Sequence, residues 1–150
     1  MTTATDTPTR ATSGQLATFR LDGDLYGVEV EHVQEVLRSQ KLTRVPLAPP
    51  AVAGLINLRG QVVTAIELRE RLGRPPRPAG TDAVVIVVRL HGEAVSLLVD
   101  SIADVVDVDA ADFEAPPDTL DGQARELIRG AYKLDGKLLL ALDVQKAVGS

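Results

Sequence analysis

Four residue-glycine pairs, Asp22-Gly23, Arg59-Gly60, His91-Gly92 and Asp135-Gly136, each stand between two short apolar runs. A two-residue turn ending in glycine accepts the positive φ that a right-twisted hairpin needs, so each pair predicts an antiparallel hairpin. Before the first turn, Leu16 to Leu21 alternates, with Ala17, Phe19 and Leu21 on one face and Thr18 and Arg20 on the other. This is the period of a half-buried strand. The return run, Leu25 to Val30, places Tyr26, Val28 and Val30 inward.

Between hairpins the period changes. In Glu31 to Arg38 the apolar residues Val33, Val36 and Leu37 fall at i, i+3 and i+4, which predicts a short amphipathic helix. Leu42 to Val45 reads as a short strand. Pro46, Pro49 and Pro50 lack a ladder donor and predict an extended crossover. Gly54–Leu58 and Val62–Ile66 form the second hairpin, and Glu67–Leu72 a closing helical turn stopped by Gly73. A proline-rich linker occupies 74–81.

The second half repeats this grammar. A hairpin at Ala83–Leu90 and Glu93–Val99 is followed by Ser101–Val106, in the position of the short helix. A second hairpin around Asp135-Gly136 and a closing helix at 143–148 complete the set. The first turns lie 69 residues apart (Asp22 to His91), and Gly54 lies 76 residues before Gly130. Two pseudo-repeated, mostly antiparallel small barrels are the economical architecture. Lobes are expected at about 15–73 and 82–148. Residues 1–14, Thr-rich and without an apolar segment, are expected to be a disordered leader rather than a signal peptide. Ala83–Val88, apolar on both faces, is expected between the lobes in a shared core.

Composition narrows function. There is no Cys, the usual state of a cytosolic chain, and the longest apolar run is the six residues Ala83–Val88. That is far below the roughly twenty a membrane helix needs. The net charge of −5 is uneven: residues 100–121 carry eight acids and no Lys or Arg. This block is either a solvated face or a surface that meets a basic partner. An acidic chain with no basic stripe is a poor nucleic-acid binder, and with no Trp, two Phe and two Tyr it has no stacking platform for bases. His32 and His91 have no nucleophile at a useful spacing, no phosphate loop is present, and Asp104 to Asp109 lacks the calcium-loop pattern. No metal or cofactor is expected. What remains suits protein contact: the helix edge with Glu35, the turn-tip guanidinium of Arg59, and barrel edge strands.

Phe19-Arg-Leu, Leu25-Tyr-Gly-Val-Glu-Val, Val33-Gln-Glu-Val and Thr43-Arg-Val-Pro, in this order and spacing, carry a family likeness: residues 15–148 resemble the CheW family of bacterial chemosensory coupling proteins. The likeness continues through Val52-Ala-Gly-Leu-Ile-Asn-Leu-Arg-Gly, Ala83-Val-Val-Ile-Val and Leu98-Val-Asp-Ser-Ile. The resemblance implies two SH3-like five-stranded β-barrels around a common hydrophobic core, with short helices. It implies a cytoplasmic, non-enzymatic adaptor recruited to receptor arrays. Its partners would be the methyl-accepting chemoreceptor cytoplasmic hairpin and the regulatory domain of the histidine kinase CheA, which would dock barrel to barrel. No nucleic acid and no direct membrane insertion are implied.

Carried across by resemblance, the receptor-facing residues are Val33, Glu35, Val36, Gly54, Arg59 and Val84, with Glu35 and Arg59 expected to pair and hold the helix against the turn. Core packing is the competing role for Val33, Val36 and Val84, and close strand approach for Gly54. Two departures stand out. Thr64 occupies a position where family members often have proline, and the 107–121 segment is strongly acidic. A CheW-like module of another chemosensory pathway, such as twitching or gliding motility, and more remotely a small-ligand-binding barrel, are the alternatives.

Overall fold

A computed structural model describes residues 14–38, 40–120 and 122–148. Of the expected leader, residues 1–13 lie outside the described set, and Gly14 opens the first strand.

The first half runs β1 (Gly14–Leu21), β2 (Asp24–Glu29), a 3-10 turn (Val30–His32), β3 (Val33–Leu37), β4 (Val52–Leu58), β5 (Gln61–Glu67) and α1 (Leu68–Arg71). The second runs β6 (Val84–Leu90), β7 (Glu93–Val99), β8 (Ser101–Val108), a 3-10 turn (Ala110–Asp112) and β9 (Phe113–Glu114). It ends with α2 (Gly122–Leu127), β10 (Ile128–Leu134), β11 (Lys137–Leu142) and α3 (Val144–Val148). The hairpin turns are where the glycine pairs place them. Asp22, Arg59 and His91 have φ of 52°, 51° and 50°, and each precedes a glycine of positive φ, as the primed turns require.

The two sheets do not follow the two halves of the chain. The six-stranded sheet has the order β8-β1-β2-β11-β10-β9 and the five-stranded sheet β3-β6-β7-β5-β4. Each half therefore lends its first hairpin to the sheet built by the other half. The graft is made by two equivalent parallel pairings, β2 with β11 and β5 with β7. A cut at 74–81 separates neither sheet, so lobes of contiguous sequence at 15–73 and 82–148 are replaced by exchanged hairpins.

Three further expectations are corrected. Glu31–Arg38 is no helix: a 3-10 turn leads into β3, which pairs antiparallel with β6. Ser101–Val106 likewise lies in β8, paired with β1. Both strands carry a bulge at the same place in the repeat. Val33 faces Val88 while Glu35 faces Val87, and Ile102 faces Phe19 while Val105 faces Ala17. A bulge inserts one residue, so apolar side chains three apart mimic helical spacing in an extended strand. An eight-residue helix is marginal alone, whereas β-branched valines pair well along β6. The 42–45 run is also shorter than expected, being reduced to a bridge between Thr43 and Leu55.

The core accounts for the exchange. Phe19, Tyr26 and Val28 of the six-stranded sheet meet Ile86, Val88 and Leu97 of the five-stranded one in a shared cluster, which α1, α2 and α3 cap. The other face of β6, Val85 and Val87, packs inside the five-stranded barrel with Ile56 and Val63. That two-sided burial explains the unbroken apolar run, and each such valine contributes about 1.5–3 kcal/mol relative to exposure. Leu16, Tyr132 and Leu139 fill the six-stranded barrel.

Candidate functional site

The site builds from the two ends of the five-stranded sheet. β3 and β4 are its outermost strands, and the Thr43–Leu55 bridge, with N–O distances of 2.9 and 2.8 Å, draws the post-β3 segment against β4. Gly54 makes that approach possible: a Cβ there would stand 2.6 Å from the Thr43 carbonyl oxygen. Its role is close packing at the seam. Gly130 repeats the device, with Glu114 O at 2.6 Å from its virtual Cβ.

Across the seam, Arg59 Nη2 donates to Glu35 Oε2. The turn that presents Arg59 is held by Asn57 Oδ1, which accepts the Gly60 N–H at 2.9 Å. Glu35 in turn lies beside Gln34, whose Oε1 accepts from Arg89 Nε at 2.8 Å. The hydrogen bond from Arg59 holds the Glu35 carboxyl below its ordinary pKa, so it stays ionised at neutral pH. The expected pair therefore forms, on a strand rather than a helix. Arg59 is 70% exposed and Glu35 22%, which leaves guanidinium donors free for a partner.

The remaining expected residues divide. Val36 is 45% exposed on β3, a surface position rather than a core one. Val33 and Val84 are half-buried and pack against the shared core. Val62, which reads from sequence as a strand-holding residue, is 62% exposed at the start of β5, close in sequence to Arg59. Strict alternation with the buried Val63 is the signal that could have placed Val62 outward.

Sequence reasoning missed a second polar centre, where α1 and the 74–81 segment meet the first hairpin. Arg69, only 6% exposed, donates from Nε and Nη2 to the two Asp100 oxygens at 3.0 and 2.6 Å. Its Nη1 reaches the carbonyls of Pro75 and Pro76 at 2.8 and 3.3 Å. Asp100 also accepts from Arg77 Nε at 3.1 Å and from the Asp22 backbone N–H at 2.8 Å. Burial raises the Asp100 pKa, but the hydrogen bonds from Arg69 and the Asp22 N–H outweigh it and hold the carboxyl at about 2. The proline segment is thus a strap clamped to the body. No sequence signal marks Arg69, which stands 31 residues from Asp100 on an amphipathic turn.

Glu29, Glu31 and His32 bring one ligand atom each within 4.8 Å of one another. Glu29 is already engaged within the fold, by His32 Nε2 at 3.2 Å and by Arg129 at 3.9 Å. Among the described residues no helix is long and apolar enough to cross a membrane.

The CheW-like domain family matches residues 15–150. The chemotaxis protein CheW of Treponema pallidum is 29% identical over 140 residues, covering 91% of this chain and 82% of that protein. CheW of Bacillus subtilis is 30% identical over 132 residues, covering 88% and 85%. The crystal structure of the scaffolding protein TtCheW from Thermoanaerobacter tengcongensis superposes with a TM-score of 0.77 at 29% identity, covering 87% of this chain and 89% of that one.

Proposed function

The chain belongs to the CheW family, and on that footing we propose that it is a non-enzymatic adaptor coupling chemoreceptor cytoplasmic hairpins to the histidine kinase CheA. The observation that carries the reading is the Glu35–Arg59 pair across the barrel seam, with exposed Val36 and Val62 beside it in sequence. The pair holds the primed turn against β3, so the seam presents one fixed surface to a partner. Exposed valines next to it supply apolar contact for one face of a helix. The kinase's CheW-like regulatory domain would dock barrel to barrel through sheet edges. Function is then a coupling free energy between two bound partners, not a reaction. Localisation follows the partners: a protein of the cytoplasm gathered at receptor arrays.

Capture of a receptor hairpin and a CheA regulatory domain by the full chain tests this. Arg59→Glu and Glu35→Arg are each expected to lose the receptor while keeping the melting temperature, and the double reversal to recover it. Failure of the wild type to capture either partner sinks the proposal. Failure of the double reversal to rescue removes the pair from it. Kinases and receptors of different chemosensory pathways in the same assay decide which pathway the chain serves.

A further inference from the structure

The chain crosses from one sheet to the other at two places related by the repeat, β2 to β3 and β7 to β8. An offset of 69 residues carries Glu31 and His32 of the first crossing to Asp100 and Ser101 of the second. The second crossing is fastened by protein cations, since Arg69 and Arg77 both donate to Asp100. At the first, Glu31 is exposed, and no Lys or Arg is bonded to it among the described residues. The carboxylate is kept and its cation is not.

A donor set gathers there instead. Glu29 closes β2, and the 3-10 turn Val30–His32 follows, its backbone closed by the Val33 N–H on the Val30 carbonyl. Side chains three apart in a 3-10 turn eclipse one another, which brings His32 Nε2 to 3.2 Å from Glu29 Oε1. Ligands about 2.0–2.1 Å from a tetrahedral zinc ion stand about 3.3 Å apart, so this pair already has the spacing of two zinc ligands. A carboxylate oxygen of Glu31 lies within 4.8 Å of both, and its exposed side chain closes that gap by a swing of about 1.5 Å or less. Arg129 lies 3.9 Å from Glu29 Oε2, the other carboxylate oxygen, where it orients the ligand without taking Oε1. An open cleft of about 570 Å³ bordered by Glu29 and Glu31 gives an entry path and room for water.

We propose that Glu29 Oε1, His32 Nε2 and a carboxylate oxygen of Glu31 bind one zinc ion, with water in the fourth position, and that the ion fastens the β2–β3 crossing as the arginines fasten β7–β8. The imidazole sets this group apart from an acidic patch and selects the metal. Imidazole with carboxylate suits zinc, whereas magnesium and calcium are held by oxygen alone. The two carboxylates balance the charge of the dication. The crossing leads straight into β3, so the ion steadies the strand that carries Glu35 and Val36. The site itself does not rest on the receptor reading.

Calorimetric titration of the untagged full chain with zinc chloride tests it on a favourable background, because the chain has no Cys and His91 is its only other histidine. One zinc per chain is expected, and magnesium in excess does not displace it. His32→Ala and Glu31→Gln are each expected to weaken binding at least about tenfold, since even the groups that merely support a ligand are worth that much. His91→Ala is expected to bind as the wild type does. Melting temperature rises with zinc in the wild type and not in His32→Ala. In NMR spectra of the wild type, zinc shifts the His32 ring signals and leaves those of His91 in place, a readout that no variant's folding can disturb. Absence of zinc binding overturns the proposal. So does unchanged affinity in either His32→Ala or Glu31→Gln, or a zinc-induced shift at His91 in place of His32.

Discussion

The same junction is built twice in this molecule with different chemistry. A first-hairpin turn meets a closing helix at Asp22 and Arg69, and again, by the same offsets, at His91 and Gln145. At the first, Arg69 is buried among Asp100, Asp22 and two proline carbonyls. Arg77 ties Glu67 to Asp100, and Arg74 reaches Asp22, Asp24 and the Tyr26 hydroxyl. At the second, Gln145 meets His91 at 2.5 Å between exposed side chains, and Arg71 caps the α3 carbonyls of Ala147 and Lys146. A pseudo-symmetric core therefore does not imply symmetric fastening. The ionic joint pins the proline strap and the β1–β2 turn to α1, and the neutral one leaves its turn held by backbone, the Gln145 contact and Arg89 Nη1 on the Gly92 carbonyl.

The largest test of that contrast removes the centre of the ionic joint. Asp100→Asn strands the buried Arg69, and Arg69→Ala takes the central cation out of the joint; each is expected to cost about 3 kcal/mol in denaturant unfolding, the lower end for breaking a buried pair. His91→Ala or Gln145→Ala is expected to stay within about 0.5 kcal/mol. Equal costs at the two joints would dissolve the comparison.

A second pair of equivalent positions probes whether the repeat is energetically real. Gly54→Ala and Gly130→Ala both drive a Cβ into a backbone oxygen 2.6 Å away, and overpacking of this kind costs about 1–3 kcal/mol. Gly54→Ala adds backbone strain at φ 154°, while Gly130→Ala meets a second obstacle and is expected to be the costlier. It also strikes the Phe113 ring, which packs edge-on against Tyr132 at 5.0 Å, whereas the Thr43 segment is held by one bridge and can give way. Thermal unfolding of the two variants side by side settles the order.

These contrasts also show what can be read from residues alone. The hairpins were legible because Asp22-Gly23, Arg59-Gly60 and His91-Gly92 specify turn geometry within two residues. The repeat order was legible for the same local reason. Exchange of the first hairpins was not, because β2–β11 and β5–β7 are pairings between distant segments that no local pattern encodes. The bulge in β3 turned strand periodicity into apparent helix periodicity, and the repeat carried that reading over to Ser101–Val106, which lies in β8 with a bulge at the same place. The Glu35–Arg59 pair was anticipated from family likeness; residue types alone supplied a turn-tip arginine and a nearby acid. Arg69 was illegible because an arginine on a four-residue amphipathic turn reads as solvent-facing until Asp100 is brought to it.

Acid titration discriminates the joints without mutation. The folded-state pKa of Asp100, about 2, lies below the 3.8 of an unpaired carboxyl. Its contribution is whole above about pH 4 and is lost as pH falls toward 2. At 1.36 kcal/mol per pKa unit the loss is about 2 kcal/mol, an upper value because the carboxylate is partly hydrated. Unfolding free energy measured across that window should fall less steeply in Asp100→Asn than in the wild type. Parallel profiles would mean that other carboxylates carry the acid sensitivity.

The smallest effect comes from transplanting the ionic joint. His91→Asp with Gln145→Arg recreates the Asp22–Arg69 pairing at the other junction, yet it lacks the surroundings that make Arg69 matter. The residue equivalent to Asp100 is Glu31, which is exposed in the 3-10 turn, and no strap follows α3 to offer proline carbonyls among the described residues. The new pair would sit in water, where exposed ion pairs contribute at most about 0.5–1 kcal/mol and fade with salt. A gain below about 0.5 kcal/mol that disappears in high salt is therefore expected from denaturant unfolding at two ionic strengths. A gain approaching the cost of Arg69→Ala would show that the ionic joint draws its strength from the pair alone. Burial, the second carboxylate and the clamped strap would then be incidental to it.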